Sequence, residues 1–84
     1  MLSVASGGDD PFRAGFITSR AIGRAVARNL VRRRLREIVR QHQHQIRNGT
    51  WIVTIARAGA VSATYRQLEA EWLRLAGRAS ILAP

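Results

Sequence analysis

Apolar and polar positions change period several times along the chain, and each change marks an element. Met1 to Ala5 is a short apolar stretch, readable as a strand. Ser6-Gly7-Gly8-Asp9-Asp10-Pro11 is dense turn chemistry, because glycine supplies positive φ and proline fixes its own. Phe12, Ala14, Phe16 and Thr18 then alternate with Arg13, Gly15 and Ile17, a period of two that predicts a strand over Phe12 to Ser19. Two strands around a tight turn read as a hairpin. Gly23 breaks the pattern before a long helical stretch. Val31, Leu35, Ile38, Val39 and Ile46, with His42 among them, fall on an arc about 100° wide, the stripe of a helix packed on a core. Asn48-Gly49 is the predicted stop. Thr50 to Arg57 is β-branched and aromatic with both faces largely apolar, which predicts a central, covered strand. Trp51 is its second residue, and its burial would make it a determinant of stability. After Ala58-Gly59-Ala60, Ser62 is placed to cap a second helix. There Tyr65, Leu68, Trp72 and Leu75 recur at helical spacing until Gly77. The order is β-β-α-β-α, an α+β domain whose small sheet is packed by helices.

Length and composition narrow this further. Eighty-four residues allow a single domain, expected over residues 1–78 with 79–84 as a tail. There is no cysteine, hence no disulfide and no thiolate zinc site. No apolar run approaches the ~20 residues of a membrane span, and the first ten residues do not read as a signal peptide, so the expected compartment is cytoplasmic. The charge is the informative quantity. Fourteen basic residues, all arginine, face five acidic ones, for a net +9. At that charge a small domain repels itself unless a polyanion neutralises it. Guanidinium groups fit phosphate oxygens and stack on bases. Nucleic acid is therefore the first-choice partner.

The charge is concentrated on the first helix. Arg24 to Arg40 holds seven arginines and one acid, Glu37. Asn29, Arg33, Arg36, Arg40 and Arg47 lie along one line nearly opposite the apolar arc, flanked by Arg32 and Arg34. One face packs on the sheet, and the other presents a guanidinium ladder able to follow a phosphate backbone. Arg28 falls on the apolar side of the wheel. Either the helix begins near it or its stem reaches outward.

Residues able to support catalysis by the protein itself are not gathered. Asp9 and Asp10 are adjacent in a turn and diverge; Glu69 and Glu71 stand two apart on a helix and point away from each other. His42 and His44 are about 200° apart on a helix and cannot share a metal. Gly7-Gly8 lacks the spacing of a phosphate loop. Asn48-Gly49-Thr50 matches a glycosylation sequon with nothing to suggest secretion.

Gly15-Phe16-Ile17-Thr18-Ser19-Arg20, Gly23, and Ala25-Val26-Ala27-Arg28-Asn29 followed by Arg32-Arg33 and Leu35-Arg36-Glu37 resemble the bacterial ribonuclease P protein component. Trp51-Ile52-Val53-Thr54-Ile55-Ala56-Arg57 looks like a later strand of that family, and Tyr65 and Leu68 fit its following helix. The resemblance runs over roughly residues 1 to 78. It implies a ribosomal protein S5 domain 2-like fold with a left-handed βαβ crossover, opposite to the usual hand. It also implies the small subunit of a ribonucleoprotein endonuclease that removes the 5′ leader of precursor tRNA. In such an enzyme the RNA subunit is the catalyst and binds most of the Mg²⁺, and the protein carries no catalytic residues. The implied partners are ribonuclease P RNA and precursor tRNA, with no DNA and no membrane. Carried over by position, the RNA-binding residues are Arg20, Arg24, Arg28, Asn29, Arg32, Arg33, Arg36 and Arg40. Phe16 can stack on an unpaired leader base or pack in the core. Leu30 stands where the family usually has arginine, a role that Arg34 can take over. The family usually has a longer N-terminus with a first helix, so this chain reads as N-terminally short: a late start, a fragment or a divergent short form. The other reading of the same features is a ribosomal-type structural RNA-binding protein or an RNA chaperone with no role in tRNA processing.

Overall fold

The computed structural model describes residues 1–7, 13–19, 22–46 and 51–79. Its elements are β1 (Leu2–Gly7), β2 (Arg13–Thr18), α1 (Ala25–His42), β3 (Trp51–Ala56) and α2 (Tyr65–Arg78). The α+β class and the β-β-α-β-α order are as the sequence predicts.

The hairpin is not. The sheet runs β1-β3-β2, so the first two strands lie on opposite edges and never pair. β3 is antiparallel to β1, with Leu2 opposite Ala56 and Gly7 opposite Trp51. It is parallel to β2, with Arg13 beside Trp51 and Thr18 beside Ala56. β3 has the most apolar surface to bury and takes the position with two neighbours. Parallel strands cannot be joined by a tight turn. Hence α1 carries the chain from β2 to β3. The turn residues 8–12, including Phe12, lie outside the described residues.

Ile52, Thr54 and Ala56 alternate along β3 as its fully buried face, while Trp51, Val53 and Ile55 are half-buried. The expectation of a strand covered on both sides thus holds for one side among the described residues. Val31, Leu35, Ile38 and Val39 of α1 and Leu68, Trp72 and Ala76 of α2 close over that side and form one core with Leu2, Ile52 and Ala56. Trp72, not Trp51, is the buried tryptophan.

Gly23 precedes α1 with φ +96°, a conformation glycine adopts without strain. α1 starts at Ala25, so Arg28 lies within it and is half-buried. The helix stops at His42, well before Asn48-Gly49. A single 3₁₀ turn, Gln43–Gln45, follows, and Ile46 reaches the core from extended backbone instead of from the helix. Residues 47–50 lie outside the described residues, and α1 does not extend to Arg47. α2 is capped by Thr64, not Ser62: the Thr64 hydroxyl accepts from the Gln67 amide at 3.1 Å, and the Gln67 side chain accepts from the Thr64 amide at 2.9 Å. This reciprocal pair satisfies two amides at the helix start. Gly77 lies inside the last turn, which runs to Arg78.

Candidate nucleic-acid interface

α1 puts its charge where the sequence predicts. Arg24, Asn29, Arg33, Arg36 and Arg40 are exposed, opposite the buried row Val31, Leu35, Ile38 and Val39. The first turn holds no acidic residue, and no side chain caps its amides. The positive end of the helix therefore adds to the arginine field.

The arginines differ in what already holds them. Arg24, Arg28, Arg33 and Arg36 have no side-chain hydrogen-bond or ion-pair partner among the described residues. Arg32 turns toward β2, donating to Thr18 Oγ1 at 3.2 Å and to Asn29 Oδ1 at 3.4 Å. That contact occupies the Asn29 carbonyl and leaves its amide hydrogens outward. Arg34 turns the other way and donates to the Ala63 carbonyl at 3.2 Å. It therefore ties α1 to the segment before α2. Arg40 forms a fork with Glu37, from Nε at 2.9 Å and Nη2 at 2.5 Å. The Arg40 guanidinium holds the Glu37 carboxyl below its usual range. Arg20 lies outside the described residues.

Beside this ladder runs a groove of about 250 Å³ between α1 and the edge strand β2, lined by Ala14, Phe16, Arg36, Val39, Arg40 and Gln43. Phe16 is half-buried. It packs against the core and lines the groove at once, so its two sequence readings are not exclusive. A ring beside two guanidinium groups offers a stacking face and phosphate donors in one place. Gln43 was not among the predicted site residues; it follows Arg36 and Val39 at i+7 and i+4, a spacing that could have pointed to it. Val39 reads from sequence only as core, and the alternation of β2 could have pointed to Ala14 next to Phe16.

The remaining polar candidates are occupied structurally. His42 Nε2 lies 3.1 Å from Glu69 Oε2, and the imidazole stacks on Trp72 with ring centroids 6.4 Å apart. Glu71 accepts from Arg74 at 3.4 Å. Among the described residues no three His, Asp or Glu side chains gather to hold a metal ion, and no helix is long and apolar enough to cross a membrane. Asp9 and Asp10 lie outside those residues.

Comparison with known proteins adds a family. The model of the family described as Ribonuclease P matches residues 1–80. Two curated relatives named "Ribonuclease P protein component" are similar to it. That of Syntrophomonas wolfei is 40% identical over 74 residues, covering 88% of this chain and 62% of the relative. That of Chloroflexus aggregans is 42% identical over 82 residues, covering 96% and 61%. This chain thus spans about three fifths of the length of these relatives. Among solved structures, the RNase P protein of Staphylococcus aureus superposes with a TM-score of 0.85 at 28% identity, over 96% of this chain and 76% of that one. The RNase P protein of Thermotoga maritima gives 0.80 at 28% identity, over 92% and 76%.

Proposed function

Because the chain belongs to the ribonuclease P protein family, we propose that it acts as the protein subunit of that ribonucleoprotein, in the cytoplasm. It binds the catalytic RNA through α1 and the 5′ leader of precursor tRNA in the groove beside it. The observation that carries this reading is the row of exposed guanidinium groups on Arg24, Arg33 and Arg36, without partners among the described residues, beside a groove lined by Phe16.

The division of labour follows from side-chain chemistry. Arg24, Arg28, Arg33 and Arg36 donate to phosphates, and each such bond is charge-assisted. Asn29 gives its free amide hydrogens to phosphate or ribose oxygens. Arg32 and Arg40 reach RNA once their internal contacts exchange, and Arg20 is the remaining motif position that the family resemblance assigns to RNA. Phe16 stacks on an unpaired leader base. The protein supplies no catalytic residue. On this reading the Mg²⁺ that would supply the metal chemistry of hydrolysis belongs mainly to the RNA subunit, as the family resemblance implies. What the chain contributes is neutralisation and positioning, which bring a polyanionic substrate onto a polyanionic catalyst.

The test is cleavage of precursor tRNA by a bacterial ribonuclease P RNA at low Mg²⁺, with and without this chain. Strong stimulation that is lost in Arg33→Ala/Arg36→Ala supports the reading. Tight RNA binding without stimulation would favour a structural RNA-binding protein or a chaperone and overturn it.

A further inference from the structure

Glu37 is the single acid on α1, and it sits within the charge ladder. Its two oxygens take the Nε and Nη2 donors of Arg40, and Oε1 also accepts from Gln41 Nε2 at 3.3 Å. Arg40 lines the groove together with Arg36 and Phe16, and of those two arginines Arg40 alone has a side-chain partner among the described residues. A carboxylate in a guanidinium fork occupies the same donors that a phosphate would take. The pair is also well exposed, at 65% for the Arg40 side chain and 40% for Glu37. An exposed ion pair of this kind is weak and exchanges readily.

We propose that Glu37 is an internal competitor for the phosphate site on Arg40: it holds the guanidinium in the free protein, yields it when a single strand enters the groove, and retakes it as the strand leaves. The inference rests on the reading of the groove as a site for single-stranded RNA. Its consequence is a strand bound less tightly than the arginine count alone would give, with the difference expressed in the dissociation rate. A subunit that must release a cleaved leader in every cycle gains from such a contact. Gln41 steadies the carboxylate in the free state, and its amide loses that acceptor when Glu37 swings away.

The experiment measures binding of a short unstructured RNA oligonucleotide to the wild-type chain, Glu37→Gln, Arg40→Gln and the double variant, across a salt series. Glutamine keeps the length and helix preference of glutamate, and circular dichroism confirms that each variant is folded. Glu37→Gln is expected to bind about two- to fivefold tighter at low salt. It should dissociate more slowly, with a salt slope steeper by roughly 0.7, the value for one added phosphate contact on a single strand. In the Arg40→Gln background the same change should have little effect. Unchanged or weaker binding by Glu37→Gln overturns the proposal and makes Glu37 a positioning residue for Arg40. Equal tightening with and without Arg40 overturns it too, in favour of a general charge effect. A wild-type chain that does not bind the oligonucleotide at all overturns the reading of the groove itself, which separates the two failures.

Discussion

Trp72 Nε1 donates to Thr54 Oγ1 at 3.2 Å, and both residues are fully buried. The bond ties α2 to the middle of the central strand. It also explains how a threonine is accommodated on the covered face of β3 between Ile52 and Ala56. Each partner satisfies the other, so removing one alone leaves a buried polar group unpaired. Thr54→Val, which keeps the shape and strands the indole N–H, is expected to cost about 1–3 kcal/mol. Trp72→Ala should cost more, about 3–5 kcal/mol, through the cavity it leaves. Urea unfolding of the two variants checks both values. A neutral Thr54→Val would mean that the indole has another acceptor.

The two tryptophans are expected to behave differently. Trp51 stands on the open side of the sheet, half-buried, with its Cζ2 3.0 Å from where a Cβ on Gly7 would sit. Its ring lies across the glycine of the neighbouring strand, over a site that has room only for hydrogen. Trp51→Ala removes surface contact without opening a core cavity, and should cost about 1–2 kcal/mol, clearly less than Trp72→Ala. Gly7→Ala pushes a methyl group against the ring and should also destabilise, by about 1 kcal/mol. Near-ultraviolet circular dichroism would register the displaced indole. Equal losses for the two tryptophan variants would put Trp51 in the core after all.

Much of this was legible in the chain, and what was not has a common cause. The central place of β3 follows from its two apolar faces, and the covered stripe of α1 from Val31, Leu35, Ile38 and Val39. Both signals are local. The hairpin expectation failed because strand pairing is not local. β1 and β2 are neighbours in sequence, but each has one partner to gain, and β3 offers both of its edges. The end of α1 failed similarly. Asn48-Gly49 is a good stop signal, but the chain leaves the helix at His42, where the imidazole meets Glu69 and Trp72. The Thr64–Gln67 capping box was readable from spacing alone, and a search for it would have corrected Ser62. Of the site, the exposed arginine face was legible from helical period. That Arg32 leans on Thr18 and Arg34 on Ala63 was not, because those acceptors belong to other segments.

Tyr65 gives the chain an alkaline pH signature. The chain has one tyrosine, no lysine and no cysteine, so between roughly pH 9 and 12 the phenol is the side chain that titrates. Burial, and then the nearby Glu69 carboxylate, raise its pKa above the usual 10.0. The folded state thus keeps its phenolic proton to higher pH than the unfolded state does. The stability tied to that difference is fully present below pH 10 and is lost as pH rises through the folded pKa. Tyr65→Phe should therefore flatten the decline of stability on the alkaline side. Phenolate absorbance, followed in the native protein and in denaturant, measures the shift directly. Coincident curves would show that the environment of Tyr65 does not act on its charge.

Arg33, Arg36 and Arg34 are close in sequence and should part company on substitution. Arg33 and Arg36 are exposed and without partners among the described residues, so their loss leaves the fold intact. If each meets a phosphate, Arg33→Ala and Arg36→Ala should each flatten the salt slope of RNA binding by roughly 0.7 to 0.9. Arg34 is committed to the Ala63 carbonyl, one residue before the cap of α2. Arg34→Ala should leave the salt slope nearly unchanged. It should instead lower stability by about 1 kcal/mol, as one partly buried hydrogen bond is lost. Salt-dependent RNA titrations and thermal unfolding on the three variants separate the roles. A flattened slope for Arg34→Ala would return that residue to the interface, and unchanged slopes for both Arg33→Ala and Arg36→Ala would remove the outer face of α1 from it.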